Sequence, residues 1–302
     1  MINKPNSKRL IQEDADSVLK DLINSYCEDL EKKLNSHVIF YMGPLMSPTD
    51  DLLKDKIEGL AIKYNNLTFV LETDGGYIDV TKRIAEVLRH HFKGNVDFIV
   101  PNHAMSAGTI LVMSGNNIYM DYYSVLGPID PQVPSDNEGK LIPALGYLEQ
   151  YKRLIKKSEN GDLTTAEMAY LIEKFDPAEL YKYEQEKELS VSLLKEWLVK
   201  YKFKNWIKTE TKNKKVTDKM KEERAESIAE MLNDTEKWHS HGIGISMEVL
   251  RRDVKLKIED YENTTDLNKK IKCYYKLLKD FAEKNGHAIV FHVNREYDGY
   301  RV

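Results

Sequence analysis

Residues 67–131 read LTFVLETDGGYIDVTKRIAEVLRHHFKGNVDFIVPNHAMSAGTILVMSGNNIYMDYYSVLGPIDP, and this stretch decides the fold. Leu67, Phe69, Val70 and Leu71 form an apolar run of the kind a buried strand needs. Thr73-Asp74-Gly75-Gly76 follows directly. Paired glycines let the backbone turn sharply and leave an N–H uncovered by side chains. Ile78, Val80, Ile84, Val87 and Leu88 then recur at helical spacing. Val96–Val100 is a second short strand, stopped by Pro101. In the following loop, His103 to Thr109, Ser106 is flanked by Ala107 and Gly108, small enough for a tight turn into a helix over 107–114.

That arrangement suits acyl transfer. A serine nucleophile needs a small-residue turn at a helix start, where a substrate can reach its hydroxyl. The developing oxyanion needs two backbone N–H donors. Ala107 N–H is one candidate, and an N–H of the Gly75-Gly76 pair is the other. Taken singly, each loop is also what a βαβ crossover uses merely to turn.

Together the two loops resemble the ClpP/crotonase superfamily of serine peptidases. Ser106 follows Gly75 by 31 positions, a separation that suits that arrangement without insertions. Ser106-Ala107-Gly108-Thr109 is similar to the nucleophile loop of the signal peptide peptidase A branch. Leu126-Gly127-Pro128-Ile129-Asp130-Pro131-Gln132 resembles the L-G-P-x-D-P-Q run of the serine dehydrogenase proteinase family within that branch. The resemblance is strong over about Val38 to Val133. It implies an α/β fold of ClpP/crotonase-like repeated βαβ units with a parallel sheet, plus a mainly helical C-terminal region. It further implies a serine peptidase acting on peptide or protein, homo-oligomeric, with no metal and no organic cofactor. Nothing in the sequence looks like a nicotinamide or pyridoxal site.

The chain has 302 residues, 41% of them hydrophobic, enough for one large domain or two modest ones. The division expected is a peptidase domain with its N-terminal helix over 1–190 and a helical domain over 191–302. A net charge of −4 gives no global pull toward nucleic acid. Two cysteines, Cys27 and Cys273, argue against a disulfide framework and for reduced thiols in a cytoplasm. No apolar run reaches the roughly 20 residues that span a bilayer. The N-terminal residues are polar and lack the apolar stretch of a signal peptide, unlike the membrane-anchored relatives.

In chain order, residues 1 to about 10 read as loosely held, and Asp14–Leu34 as an amphipathic helix striped by Val18, Leu19, Leu22, Ile23 and Leu30. His37–Tyr41 is a strand, and Ser47-Pro48-Thr49-Asp50 opens a helix. Alternating strands and helices up to residue 120 predict a parallel sheet. Right-handed crossovers then bring the Gly75-Gly76 and Ser106 loops to one edge, where such sheets bind ligands. Asn117–Tyr123 reads as a further strand. The loop from Pro128 to Pro143 holds four prolines and reads as a lid, or equally as a plain excursion. Helices are expected over 143–157, 164–175 and 177–189. Lys208–Lys215 reads as an exposed basic loop, followed by helices over 217–232 and 246–258. This last pair is compatible with a helix–turn–helix or winged module. Arg251, Arg252, Lys255 and Lys257 are diluted by Glu248, Asp253 and Glu259, which disfavours nucleic-acid binding. Ala288–Phe291 is a terminal strand.

The general base is the open question. ClpP-type enzymes place a histidine soon after the serine, but Ser124–Gln132 contains none. Signal peptide peptidase A relatives use a lysine further along, which here leaves Lys140, Lys152, Lys156 and Lys157. Lys152, beside Tyr151 on its helix, is the choice made. His239 and His241 are the rival base, or a turn held by capping hydrogen bonds; with no cysteine or third histidine near, they are a weak zinc pair. A catalytically inactive scaffold or effector-binding protein is the alternative function. An acyl-CoA enzyme of the crotonase branch would share the oxyanion site but have no use for Ser106.

Overall fold

Leu67–Glu72 (β2) is buried at all six positions, as a strand covered on both faces must be. It lies at the centre of the computed structural model, which describes residues 7–61, 63–130, 132–134, 141–209 and 213–301. Before β2 come α1 (Ser7–Leu34), β1 (His37–Met42) and α2 (Thr49–Glu58). After it come α3 (Ile78–His91), β3 (Val96–Ile99), β4 (His103–Ala104), α4 (Ala107–Met113), β5 (Ile118–Met120) and β6 (Val125–Leu126). A hairpin of β7 (Gln132–Pro134) and β8 (Leu141–Pro143) leads to α5 (Ala144–Glu159), α6 (Thr165–Lys174) and α7 (Pro177–Trp197), extended by a π-helical turn at Leu198–Lys202. The chain continues through α8 (Asp218–Leu232), α9 (Thr235–Trp238), β9 (Ile245–Ser246), α10 (Met247–Arg252) and β10 (Glu259–Asp260). It closes with α11 (Thr265–Asn285), β11 (Ile289–Val293) and β12 (Glu296–Tyr300).

Seven strands form one sheet in the order β10-β5-β3-β2-β1-β11-β12. Its first five are parallel, and β11 and β12 close one side antiparallel. Alternation along the strands divides the core into two layers. Ile39, Tyr41, Phe69, Leu71 and Phe98 face the layer that holds α2, α3, α4, α7 and α8. Val38, Phe40, Val70 and Ile99 face α1 and α11, where Ile23, Cys27, Leu30, Ile271, Tyr274 and Leu278 pack. A smaller cluster of Leu148, Leu154, Phe175, Leu180 and Tyr183 joins α5, α6 and α7.

The fold is the expected mixed α/β arrangement around a largely parallel sheet. Val18 and Leu22 of the expected α1 stripe are exposed, since α1 meets the core through Ile23, Cys27 and Leu30. Residues 7–10, expected to be loosely held, belong to α1. The helix expected over 246–258 ends at Arg252. The C-terminal region is not only helical: β10, β11 and β12 join the main sheet. The division drawn between 190 and 191 falls inside α7, and the first core layer runs on through Leu250 and Ile258. The hairpin β11–β12 was half missed. Asn294 and Arg295 both sit at positive φ, as its two-residue turn demands. Lys140 and the middle of the 128–143 loop lie outside the described residues, as do residues 1–6 of the N-terminal stretch.

His292 of β11 is buried between Tyr274 OH, 2.7 Å from Nδ1, and Asn24 Oδ1, 2.9 Å from Nε2. Burial, aided by the Arg295 charge, pulls its pKa from the ordinary 6.5 down to about 4. The unfolded chain therefore binds a proton between those values that the folded chain does not. The stabilisation from a neutral His292 is complete above pH 6.5 and is lost as pH falls toward 4. Chemical denaturation at pH 7 and pH 5 should give a drop on the order of 2 kcal/mol from this residue. His292→Gln should show a correspondingly smaller drop, and an unchanged one would contradict the assignment.

Candidate active site

The β2 and β4 ends are zipped together. Thr73 N–H donates to His103 O at 3.1 Å and Met105 N–H to Thr73 O at 2.9 Å, around a parallel bridge between Thr73 and Ala104. This places Gly75 against the serine loop. A Cβ built on Gly75 would lie 2.8 Å from Ser106 Cβ and 3.3 Å from Ala107 N. Only glycine allows that approach, and Gly75 also has φ +105°.

Ser106 precedes α4 at φ 51° and ψ −120°, a conformation rare outside glycine. Such strain recurs where a nucleophile is held on a sharp turn between strand and helix. Gly75 N–H is taken by Thr73 Oγ1 at 3.0 Å, and Gly75 O by Leu45 N–H at 2.8 Å. Gly76 N–H and Ala107 N–H have no hydrogen-bond partner among the described residues. Ala107 N–H directly follows the serine and Gly76 N–H follows the glycine packed against it, so both are candidate donors for an oxyanion. Of the two glycines expected there, Gly75 makes the turn and Gly76 carries the available N–H.

Asp130 and His241 form the second element. His241 Nδ1 lies 2.8 Å from Asp130 Oδ1, and the Asp130 side chain is almost wholly buried. Its other oxygen, Oδ2, has no hydrogen-bond partner among the described residues. A buried carboxylate needs such a partner, so this contact fixes both groups. The strap that carries Asp130 starts beside Ser106. Thr109 Oγ1 accepts Gly127 N–H at 2.9 Å, and a Cβ on Gly127 would lie 3.1 Å from Met105 Cα. β6 sits between β4 and β9 in a three-stranded sheet. So β9, four residues after His241, lies roughly 10 Å from β4, and Asp130 lies within about 11 Å of Gly127 along the chain. His241 Nε2 has no partner among the described residues.

A second histidine, His103, also faces carboxylates. Its Nε2 is 3.0 Å from Asp74 Oδ1 and its Nδ1 is 3.9 Å from Glu72 Oε1. Nε2 is thus turned to Asp74, while Nδ1 is too far from Glu72 for a hydrogen bond. His241 keeps one nitrogen unengaged, which is what a base needs.

The sequence pattern of the ClpP-like SDH-type serine proteinases matches residues 59–214, just over half of the chain. The chain belongs to this family. Two uncharacterized proteins of Methanocaldococcus jannaschii are similar to it. One is 26% identical over 220 residues, covering 73% of this chain and 58% of that protein. The other is 37% identical over 73 residues, covering 24% and 25%. The chain thus spans less than two thirds of the length of these curated relatives. Among solved structures, a mutant of the 1510-N membrane-bound stomatin-specific protease aligns with TM-score 0.43 and 15% identity, over 77% of this chain and 81% of that one. Another mutant of it, in complex with a substrate peptide, gives 0.44 and 15% over 87% and 85%. The ClpP protease catalytic domain from Plasmodium falciparum gives 0.27 and 16% over 30% and 52%.

Within this SDH-type proteinase, the matched residues include Gly75, Gly76, Ser106, Ala107, Asp130 and Lys152; His241 lies beyond them. Lys152 stands on α5, 56% exposed and 3.8 Å from Glu149, in a cleft shared with Leu148, Glu184, Lys187, Val191 and Lys195. No contact described joins it to Ser106. Lys156 is exposed, and Lys157 pairs with Glu167 at 2.5 Å. His239 is exposed at φ 58°, in a turn that Ser240 caps through Gly242 N–H at 3.3 Å. The Leu126–Gln132 run contains Asp130, but no local signal pairs it with His241, 111 positions away. Among the described residues no group of three or more His, Cys, Asp or Glu could hold a metal ion. No helix among them is long and apolar enough to cross a membrane.

Proposed function

We propose that this chain hydrolyses peptide bonds with Ser106 as nucleophile. The observation that carries the reading is Ser106 at positive φ, packed against Gly75 between two unengaged amides. In the proposed reaction Ser106 Oγ attacks the scissile carbonyl, and its proton passes to His241 Nε2. Asp130 holds the opposite nitrogen and stabilises the imidazolium that forms. The oxyanion sits between Gly76 N–H and Ala107 N–H. His241 then returns the proton to the leaving amine, and water repeats the sequence on the acyl-enzyme. Reading His241 as the base departs from the lysine expectation. It rests on the orienting carboxylate that Asp130 supplies, whereas Lys152 is exposed.

Homo-oligomeric assembly belongs to the same proposal and rests on the family resemblance. A cytoplasmic setting rests on the free cysteines; burial pushes the Cys27 thiol up to about 12, which keeps it inert. The catalytically silent scaffold is favoured by one observation, the absence of any described hydrogen bond to Ser106 Oγ. A fluorophosphonate probe separates the two. Labelling mapped by peptide mass analysis to Ser106 is expected. A folded protein that takes no label, or takes it at Ser114 or Ser124, would remove the hydrolase reading.

A further inference from the structure

Between the oxyanion loop and the serine loop lies a polar chain that the proposed reaction does not use. It starts at Glu72, the last residue of β2, whose side chain is buried. Glu72 accepts from Lys279 Nζ at 2.8 Å and Asn102 Nδ2 at 3.1 Å, and from Tyr275 OH. Burial and the Glu72 carboxylate both push the Tyr275 phenol up, so it stays a donor. Glu72 is therefore fixed to α11 and to the residue before β4. His103 stands beside it, and across His103 lies Asp74.

Asp74 is in the opposite condition. Its side chain is 94% exposed, and His103 is its one partner among the described residues. Yet Asp74 directly precedes Gly75, and His103 is three residues before Ser106. The tie therefore joins the two loops whose relative placement the chemistry depends on. On its other side the oxyanion loop is held by backbone alone, through Leu45 N–H to Gly75 O and Tyr77 N–H to Leu45 O, both at 2.8 Å.

We propose that His103 is a positioning residue, clamping the Asp74 end of the oxyanion loop to β4, the strand that leads into the Ser106 turn. The ring stands between two carboxylates, its Nε2 3.0 Å from the exposed Asp74 and its Nδ1 3.9 Å from the anchored Glu72. Through His103 the exposed Asp74 is tied to the anchored Glu72 cluster. The functional half of this inference rests on the serine-hydrolase reading; the structural half does not.

The test uses the full chain as wild type, Asp74→Ala, His103→Leu, His103→Gln and the Asp74→Ala/His103→Leu double variant. Hydrogen exchange of the peptide spanning residues 73–79 reads the tie directly. Asp74→Ala and His103→Leu should each exchange about three- to tenfold faster, the scale of a partly exposed ion pair. The double variant should be no faster than either single one, and His103→Gln, which keeps a donor, should stay near wild type. Asp74 is exposed, so its variant folds even where His103→Leu does not. Fluorophosphonate labelling should slow by a similar factor at saturating probe, with unchanged probe affinity. Unchanged exchange in Asp74→Ala, or additive effects in the double variant, would overturn the clamp. A wild-type chain that takes no label refutes the hydrolase reading instead, and the exchange result still decides the clamp.

Discussion

Alanine at His241 is expected to lower peptide turnover by about four to six orders of magnitude, as much as alanine at Ser106. The double variant should be no worse than either alone, because nucleophile and base act as a unit and removing one idles the other. Asp130→Asn should cost about 10⁴ in turnover, because an amide cannot hold the imidazole in the tautomer that presents its Nε2 lone pair to Ser106. The observation behind this is the 2.8 Å contact between His241 Nδ1 and the buried Asp130 carboxylate. Lys152→Met and His239→Ala should turn over near the wild-type rate. Lys152 is exposed beside Glu149, with no described contact to Ser106, and His239 lies outside the buried pair. Steady-state rates on a casein-derived peptide mixture, with circular dichroism to check folding, decide the matter. A dead Lys152→Met beside an active His241→Ala would restore the lysine base.

What the sequence made legible follows from the range of each interaction. The Gly75-Gly76 turn and the Ser106 turn are local, each fixed by neighbours within a few residues. The parallel order of β1, β2 and β3 follows from alternating strand and helix patterns. The β4, β6 and β9 strands are each two residues long, too short to show any period, yet they join the chain before Ser106, the chain before Asp130 and the chain after His241 in one small sheet. Two of those residues, His103 and Ser246, stand in loops or at a helix cap by any local rule. The base is hard to read for the same reason: His241 carries no sign of Asp130, 111 positions away, and a helix position does not say which neighbour Lys152 meets. The β11–β12 hairpin was half legible: β11 is apolar, whereas Glu296–Tyr300 is polar and half-exposed, as an edge strand can be.

The oxyanion loop offers the second large effect, and the structure directs it to Gly75 rather than Gly76. A Cβ at Gly76 would lie 2.2 Å from Leu45 O, so valine there breaks the bridge to residue 45 and disturbs the fold. Gly76→Val is therefore not the clean probe of the N–H that the sequence invites. At Gly75 the new atom meets the machinery itself, 2.8 Å from Ser106 Cβ and from Met105 O, and 3.3 Å from Ala107 N. Relief moves the serine and the Ala107 amide away from the Gly76 amide together. Gly75→Ala should therefore lower turnover by about two to three orders of magnitude, the cost of one misaimed oxyanion donor. The residue also sits at φ +105°, so some loss of thermal stability accompanies it, of the order of 1–3 kcal/mol. Fluorophosphonate labelling separates the two consequences. The variant should keep a cooperative thermal transition and still carry Ser106, yet label much more slowly than wild type at a temperature where both are folded. Labelling at the wild-type rate in a folded Gly75→Ala chain would mean that the oxyanion is held elsewhere.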